Sequence, residues 1–420
     1  MRPLRICHIT TFYPPYNFGG DGMGIQRLSH ALAGRGHEVE ILQDVDAFAT
    51  LSPRALPDPD PQPDGVKVHL LRSRLGMVSN LLTQQTGRPV VHGNRIRRIL
   101  DDGDFDVITY HNVSLVGGPG VLGLGSGLKL YMAHEHWLVC PTHVLWRHGR
   151  ERCDGRECLR CVLNHKRPPQ LWRSTGLLER ESRHVDRFIA MSEFSRKKHA
   201  EFGFGPEMEV LPYFLPDLDE GDSGPERGES PHPRPYFLFV GRLEKIKGLD
   251  DVIPVFAEDV GADLLIAGDG EYAETLKELG RGLDRVHFLG RIHPDELRRY
   301  YTHAKALIVP SVCFETFGII LIEAFRQGTP VIARRLGPFP EIVEKAGAGE
   351  LFSTVDDLRV AMGRFVDDDG HRDRLGRAGI EAFRTHWSES AVVPQYLDIV
   401  ARAAEARGMT SILQKLGRTN

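Results

Sequence analysis

The feature that most constrains this chain is an alternation of short apolar runs with amphipathic helical stretches, and the alternation occurs twice. In the first half the runs are "LRICHIT", "EVEILQ", "VKVHLL", "DVITYHN", "LKLYMAH", "RFIAMS" and "MEVLPYF". In the second half they are "YFLFVGRL", "ADLLIAGDG", "VHFLGRI", "AKALIVPS" and "TPVIARR". Strands that alternate with helices are typical of βαβ units built around parallel sheets. The pattern predicts an α/β protein with doubly wound, Rossmann-like sheets.

A change of composition divides the two halves. Residues 216–235, "PDLDEGDSGPERGESPHPRP", contain almost no apolar side chains and many glycines, prolines and acids, which predicts a solvated linker. A chain of 420 residues also exceeds the size at which a single hydrophobic core keeps growing. We therefore predict an N-terminal domain over 1–215 and a C-terminal domain over 236–387.

Composition argues against two classes of function. Lys and Arg total 53 against 57 Asp and Glu, a net charge of -4, so no basic excess indicates a nucleic-acid partner. No apolar run approaches the roughly 18 residues of a membrane span. The N-terminal apolar segment is too short for a signal peptide, so we expect a cytoplasmic protein. Its six cysteines should then be thiols or metal ligands rather than disulfides.

Two cations follow the first strand of the C-terminal half. In doubly wound sheets, ligands bind at the carboxyl ends of the strands where the crossover direction reverses, and two such sheets suggest a central cleft. "VGRLEKIKG" places Arg242 and Lys247 after a strand, with a helix expected to begin near Gly248. Cations beside a helix N-terminus suit a doubly charged anion such as diphosphate. The alternative is a pair of surface cations on a loop.

Two glutamates occupy the apolar stretch "VCFETFGIILIEAFRQGTPVIAR" (312–334). On one helix, Glu315 and Glu323 would lie roughly 12 Å apart along the axis and about 80° apart around it. We instead predict that Glu315 lies in a loop and that a helix begins at Gly318 and contains Glu323. Gly318 would let the backbone approach a ligand, near the unpaired amides of the helix start. Each acid would then hold a different part of one elongated ligand, unless the stretch is a plain helix with one solvated acid.

A cysteine cluster lies in "VCPTHVLWRHGRERCDGRECLRCVLNH" (139–165), inside an expected insertion over 137–168. Its ending Cys-x2-Cys is half of a tetrahedral zinc site, and four thiolates complete a closed one. We predict a structural zinc ion, with an iron–sulfur cluster, reduced thiols or disulfide-linked thiols as alternatives. The cysteines Cys7 and Cys313, outside the cluster, are expected in the core. The four predicted ligands are Cys140, Cys153, Cys158 and Cys161.

The motifs taken together resemble a known family. "VGRLEKIKG", "AGDGE", "VHFLG", "VPSVCFETFGIILIEAFRQGTPVIA" and "PEIVE" look like the retaining glycosyltransferases of family 4, which have the two-domain GT-B fold. In the first half "FYPPYNFGGDGMGIQRLSHALAGRGHEVEIL", "HNVSLVGGP" and "AMSEFSRKKHAEFG" are similar as well. The resemblance covers about residues 5–390. Some bacterial members carry a four-cysteine insertion, which "HEHWLVCP" resembles.

The resemblance implies transfer of a sugar from a nucleoside-diphosphate sugar, with UDP favoured and GDP next. The acceptor stays unidentified: a small molecule, a polysaccharide or a lipid-linked sugar. Glu323 would bind the ribose hydroxyls, and Glu315 would face the donor sugar. The implied catalytic residues are Glu315, His134, Arg242 and Lys247, with His134 reaching the transferred sugar and both cations on the diphosphate. The other implied donor contacts are Gly19, Gly20, Leu289, Gly290, Arg291, Thr316, Phe317, Gly318, Ile319 and Ile320.

Several alternatives accompany this interpretation. The fold would also suit a nucleotide-sugar epimerase or phosphorolytic enzyme, or a binding module without catalysis. No catalytic metal is expected, because the Asp-x-Asp pairs at 58–60, 104–106 and 217–219 fall in a loop, at a strand edge and in the linker. Residues 388–420 are implied to hold a helix that crosses back to the first domain. The segment 166–184 interleaves cations with apolar residues, which suits peripheral membrane contact or a helix packed on the sheet.

Overall fold

The structure is a computed structural model that describes residues 2–52, 55–218 and 228–418, so the middle of the expected linker (219–227) lies outside the described residues. The chain divides into two compact units. Unit 1 comprises Met1–Tyr213 with Val392–Asn420, and unit 2 comprises Phe214–Ala391. Each unit is built on one parallel sheet, which confirms the predicted fold class.

Unit 1 contains a seven-stranded sheet in the order β3-β2-β1-β4-β5-β8-β9. Every neighbouring pair is parallel, and Ile6 of β1 is in register with both Val39 and Val107. The strand order reverses between β1 and β4. The strands are β1 Arg5–Thr10, β2 Glu38–Asp44, β3 Val66–Leu71, β4 Val107–Tyr110, β5 Leu128–Ala133, β8 Arg187–Ala190 and β9 Met208–Val210, with a separate hairpin of β6 Trp146–Arg147 and β7 Glu151–Arg152.

Unit 2 contains a six-stranded parallel sheet in the order β12-β11-β10-β13-β14-β15, which reverses between β10 and β13. Five of these strands were predicted. The sixth, "GELF", pairs at the edge of the sheet and was missed, because it begins with glycine and has a single strongly β-forming side chain. The strands are β10 Tyr236–Val240, β11 Asp263–Ala267, β12 Val286–Gly290, β13 Leu307–Val309, β14 Val331–Arg334 and β15 Gly349–Phe352.

Helices flank both sheets, so the central strands are buried on both faces: all six residues of β5 and all five of β11 are buried. The α-helices of the described chain are α1 Gly20–Gly34, α2 Val45–Leu51, α3 Met77–Thr86, α4 Gly93–Gly103, α5 Cys158–Asn164, α6 Leu177–Ser182, α7 Glu193–Glu201, α8 Ala273–Leu279, α9 Pro294–His303, α10 Ile319–Arg326, α11 Phe339–Ala346, α12 Val355–Asp367, α13 Asp369–His386, α14 Glu389–Ala406 and α15 Thr410–Lys415.

The helix predicted after Gly248 does not form. The chain there makes three short 3-10 turns, Lys245–Lys247, Leu249–Asp251 and Ile253–Ala257. Pro254 explains the difference, because proline lacks an N–H donor and disfavours the α conformation in the residue before it. The two cations therefore lie beside 3-10 turns, and the predicted contribution of a helix N-terminus at Gly248 is wrong.

The segment 166–184 packs into unit 1. Trp172, Leu177 and Leu178 are all buried and belong to the core cluster of that unit, which favours the packed alternative over membrane contact. Within the described residues, no helix combines the length and the apolar character needed to cross a bilayer.

Candidate functional site

Unit 2 has its reversal of strand order where the sequence predicted a phosphate site. Strand β10 ends at Val240 and leads directly to Arg242, while β13 ends at Val309 and leads into the loop that holds Glu315. Because β10 and β13 are parallel neighbours, these two segments emerge at the same edge of the sheet. This edge, at the reversal of strand order, is where doubly wound sheets bind ligands.

The centre of this edge is an ion pair. Lys247 Nζ donates to Glu315 Oε1 at 2.6 Å, and Ser311 Oγ donates to the same oxygen at 3.2 Å. Burial alone would raise the pKa of Glu315, but the charge and hydrogen bond of Lys247 outweigh burial and lower it. Burial likewise opposes protonation of Lys247, and Glu315 reverses this, so the pKa of Lys247 is raised. Both groups are therefore charged at neutral pH.

A second cation, Arg242, lies near the Lys247–Glu315 pair but is more exposed to solvent. The Arg242 side chain is 56% exposed, and its Nη1 contacts Glu244 Oε1 at 2.7 Å. An exposed ion pair of this kind is worth little. Arg242 can therefore exchange Glu244 for an anion at small cost.

Helix α10 begins after Gly318, as predicted, with Glu315 in the loop and Glu323 in the helix. Gly318 has φ of 101°, and an added Cβ would lie 2.7 Å from Phe339 Cε1, so both backbone conformation and packing require glycine. Glu323 follows Ile319 by four residues and shares its helix face. Its Oε2 accepts a hydrogen bond from Tyr301 Oη at 3.2 Å, which fixes the carboxylate one turn from the helix start.

The other predicted donor contacts of unit 2 lie around this edge. Phe317 is buried, whereas Thr316, Gly318, Ile319 and Ile320 are half-buried at the start of α10. Another group lies at the end of β12, two strands from β10, where Gly290 accepts a backbone hydrogen bond from Gly268 at 2.7 Å. That group consists of Leu289, Gly290 and Arg291.

In unit 1, the predicted glycines form the start of helix α1. Gly19 is the N-cap residue, Gly20 begins the helix, and no side chain caps it. Four residues further, a Cβ at Gly24 would lie 2.4 Å from Tyr213 Cε1, so the first turn of α1 packs directly against that tyrosine ring. The absence of a side chain at Gly24 thus allows α1 to approach Tyr213 closely.

A chain of buried rings surrounds the predicted histidine of unit 1. His134 Nδ1 is 2.6 Å from Tyr213 Oη, and His134 Nε2 is 2.8 Å from His111 Nδ1. His111 Nε2 is in turn 2.6 Å from His8 Nδ1, while His8 Nε2 is buried without a hydrogen-bond partner in the described protein. Both ring nitrogens of His134 are therefore engaged with other side chains.

Burial keeps this chain of histidines neutral. It lowers the pKa of His8 and of His134 to about 3, and it lowers the pKa of His111 as well. At neutral pH His134 is an uncharged hydrogen-bonding group. Sequence analysis selected His134 and missed His8, His111, Tyr213, Ser311 and Tyr301. The first two were detectable: His111 directly follows the predicted strand β4, which neighbours β5, and His8 lies on the predicted strand β1, which neighbours β4.

The cysteine cluster receives no structural support as a zinc site. All six cysteines are free thiols, with Cys7 and Cys313 buried as predicted. Within the described residues, two groups bring three or more metal-binding atoms within 4.8 Å of one another, and neither contains a cysteine. Of the four predicted ligands, Cys140 and Cys161 are buried, Cys153 is half-buried and Cys158 is exposed.

The cysteine-containing segment is held by other contacts. Trp137 and Trp172 are buried, and the Arg173 guanidinium lies 5.4 Å and 4.6 Å from their ring centroids. Arg173 Nη2 also donates to the Trp137 carbonyl at 2.6 Å. These cation–π contacts and this hydrogen bond join the residues that flank the cysteine-containing stretch 139–165 on its two sides.

One aspartate in each of two of the Asp-x-Asp pairs has structural partners. Asp106 accepts from the Arg5 backbone N–H and from Lys415 Nζ, and Asp217 accepts from Ser390. Asp219 lies outside the described residues.

Comparisons with known proteins agree with this geometry. Residues 18–215 match the model "Glycosyltransferase Family 4", and residues 223–382 match "Glycosyl transferases group 1", so the two matches together span most of the chain. The chain is 26% identical to a phosphatidyl-myo-inositol mannosyltransferase of Mycobacterium leprae, over 89% of this chain and 92% of that protein.

Solved structures share the fold. Sucrose-phosphate synthase from Thermosynechococcus elongatus superposes with a TM-score of 0.72 at 20% identity, covering 96% of this chain and 100% of the other. Anabaena HepE in complex with UDP and glucose gives 0.65 at 16% identity, covering 95% and 100%. The chain therefore belongs to glycosyltransferase family 4 and is a GT-B-fold enzyme that transfers a sugar from a nucleotide sugar.

Proposed function

We propose that the protein is a retaining hexosyltransferase whose donor is a UDP-sugar, with a GDP-sugar as the second choice. The observation that carries this proposal is the Lys247–Glu315 pair at the reversal of strand order, with Glu323 one helical turn inside the adjacent helix. The relatives named above support a hexosyl donor, because one is a mannosyltransferase and another binds UDP and glucose.

The cations of unit 2 suit the departing diphosphate. As the bond to the sugar breaks, negative charge accumulates on the diphosphate, and prepositioned cations lower that barrier. Lys247 has three N–H donors, of which one is held by Glu315, so the ammonium is oriented and can still donate to phosphate oxygens. Arg242 would add a planar, bidentate donor after leaving Glu244.

The two acids suit different parts of the donor. The Glu323 carboxylate, oriented by Tyr301, can accept hydrogen bonds from two ribose hydroxyls. The first N–H groups of α10 have no acceptor within the helix, so they suit the phosphate next to that ribose. Glu315 remains ionised beside Lys247 and would accept from a hydroxyl of the donor sugar.

His134 is proposed to contact the transferred sugar as a neutral group, not as an acid or base. Its low pKa excludes a protonated imidazole at neutral pH. Its Nε2 and Nδ1 face His111 and Tyr213, so a hydrogen bond to the sugar would replace one of these two contacts. We assign no general base. Acceptor attack on the face from which the diphosphate departs, the usual proposal for retaining enzymes of this family, needs none from this chain, because the proton of the acceptor hydroxyl passes to the departing phosphate oxygen. The acceptor is proposed to be a small molecule, a polysaccharide or a lipid-linked sugar.

Binding of UDP, GDP and ADP by isothermal titration calorimetry tests the donor assignment. Glu323→Gln should weaken UDP binding by about 10-fold or more, because the neutral amide loses charge-assisted hydrogen bonds to the ribose. Glu274→Gln, on the exposed face of α8, is the matched control and should bind like the unmodified protein. Unchanged affinity in the Glu323 variant, or no nucleotide binding by the unmodified protein, would overturn the proposal.

A further inference from the structure

Two clusters of metal-binding side chains lie outside the proposed donor site. Within the described residues, these are Asp44, Asp46 and His92 in unit 1, and His232, Asp263 and His287 in unit 2. In each cluster the ligand atoms lie within 4.8 Å of one another. The two clusters differ in charge and in hydrogen bonding, and this difference decides which of them suits a cation.

The cluster of unit 1 joins four segments of the chain. Asp44 ends strand β2, Asp46 lies in the first turn of α2, and His92 precedes α4. Ser73, after β3, donates to Asp46 Oδ2 through its hydroxyl at 2.6 Å, and His92 Nε2 lies 3.1 Å from the same oxygen. All three cluster residues are buried, with Asp44 only 1% exposed.

Asp44 has an unsatisfied carboxylate oxygen. Its Oδ1 accepts from the Ala47 backbone N–H at 3.1 Å, whereas its Oδ2 is buried with no hydrogen-bond partner in the described protein. An unpartnered buried carboxylate oxygen is costly. Here it lies beside a second buried carboxylate, and no Lys or Arg of the described chain forms an ion pair with either one.

The cluster of unit 2 is balanced by the protein itself. Asp263 is its single carboxylate; Oδ2 contacts His232 at 2.8 Å and His287 at 3.1 Å, and Oδ1 receives Arg234 Nε at 3.0 Å. Each oxygen has a partner, and the guanidinium supplies a full positive charge. A cation here would have to displace that guanidinium, so this cluster does not suit a metal ion.

We propose that Asp44, Asp46 and His92 bind one divalent metal ion, which supplies the positive charge that unit 1 lacks at this position. Two ligand atoms that are each about 2.1 Å from an ion are at most roughly 4.2 Å apart, so small side-chain shifts close the site. Two carboxylate oxygens and one imidazole nitrogen suit Mn²⁺ or Zn²⁺ better than Mg²⁺ or Cu⁺. The neutral His92 ring would bind through Nε2 and carry its proton on Nδ1.

The bound ion would act structurally. It would tie the end of β2, the first turn of α2 and the start of α4 together, in a region where two buried carboxyl groups lie side by side. Burial, with the nearby charge of Asp46, raises the pKa of Asp44 to about 7, and a bound ion would favour its ionised form. Because the unfolded chain has no such site, ion binding would add to the free energy of unfolding.

Mn²⁺ is the probe, because thiolates bind it poorly and the four clustered cysteines then do not compete. The full chain, stripped with EDTA and free of nucleotide, is titrated with MnCl₂ while electron paramagnetic resonance reports free Mn²⁺. About one Mn²⁺ per chain should bind, and the melting temperature should rise with Mn²⁺ concentration. Absence of both effects would overturn the proposal.

Variants locate the ion. Asp44→Asn and His92→Gln should each lower Mn²⁺ affinity by about 10-fold or more and remove the Mn²⁺-dependent rise in melting temperature. Without Mn²⁺, Asp44→Asn should be as stable as the unmodified protein or more so, because Asn also caps helices and removes a repulsive charge. Asp263→Asn is the control and should bind Mn²⁺ normally. Mn²⁺ affinity in Asp44→Asn and His92→Gln equal to that of the unmodified protein would mean that the ion binds elsewhere, which contradicts the proposal.

Discussion

The two units present the same sheet topology and opposite chemistry. In both, strand order reverses next to the first strand of the sheet. In unit 2 the side chains at that edge are charged, partly exposed and paired, as in Lys247 with Glu315. In unit 1 they are buried, neutral rings, as in His134 with His111. Two sheets with the same reversal of strand order thus carry charged or neutral side chains at that edge, depending on the residues that lie on and directly after their strands.

The largest expected effect is on catalysis and concerns Lys247, at the edge of the unit 2 sheet where the strand order reverses. Lys247→Ala should lower kcat/KM for a nucleotide-sugar donor by about 10²–10³-fold, because the departing diphosphate loses a prepositioned cation. Lys245→Ala removes an exposed lysine from the same 3-10 turn and should change kcat/KM little. Steady-state kinetics with a UDP-sugar checks this, and circular dichroism checks folding. If Lys247→Ala lowered kcat/KM no more than Lys245→Ala does, the charged side chains of unit 2 would have no special role in catalysis.

The buried, neutral histidines of unit 1 should make the free energy of unfolding depend on pH. The unfolded chain takes up protons on histidine as pH falls below 6.5, whereas burial lowers the pKa of His8 and His134 to about 3 in the folded chain. The unfolded state therefore binds more protons between these values, and stability falls as pH falls. Between these two pKa values, each such histidine lowers the free energy of unfolding by about 1.4 kcal/mol for each unit by which the pH falls.

Well below pH 6.5, where an unfolded histidine is almost fully protonated, the variant His8→Gln should reduce this slope by about 1.4 kcal/mol per pH unit, and near pH 7.5 by almost nothing. His293→Gln, at a site whose side chain is 75% exposed, should leave the slope unchanged. Denaturant unfolding between about pH 4.5 and 7.5 measures both. If the free energy of unfolding of His8→Gln had the same pH slope as that of the unmodified protein, the buried His8 ring would titrate like an exposed one. The side chains at the edge of the unit 1 sheet would then not differ from those of unit 2 by being held neutral.

The smallest expected effect concerns the orientation of Glu323. Tyr301→Phe removes the hydroxyl that donates to Glu323 Oε2, so UDP affinity should fall by about 3- to 10-fold, near the worth of one hydrogen bond. Tyr300→Phe is the adjacent control, and calorimetry measures both variants. A loss as large as that of Glu323→Gln would instead mean that Tyr301 contacts the nucleotide itself.

Sequence reasoning succeeded where the signal was local. The apolar runs predicted all seven main-sheet strands of unit 1, and Gly318 predicted the start of α10, because backbone periodicity and glycine geometry act over a few residues. It failed at Gly248, where Pro254 prevented the helix. It also missed the contacts of His134 with residues 23 and 79 positions away, since those depend on which strands become neighbours.

The cysteine cluster shows the limit of spacing arguments. The four cysteines are close in sequence, yet within the described protein their sulfurs do not converge to metal-binding distances. Asp44, Asp46 and His92 do converge, although 48 positions separate the first from the last and no spacing motif links them.

Unit 1 has one property that bears on how the protein is made. Its core is completed by the last residues of the chain: Tyr396 Oη meets the buried Thr109 hydroxyl at 2.8 Å, and Lys415 pairs with Asp106. Unit 2 is a single continuous segment. During translation, the ribosome therefore releases every residue of unit 2 before unit 1 has all of its own. All seven strands of the unit 1 sheet are then already made, but the sheet still lacks helix α14, whose Tyr396 contacts Thr109 on β4.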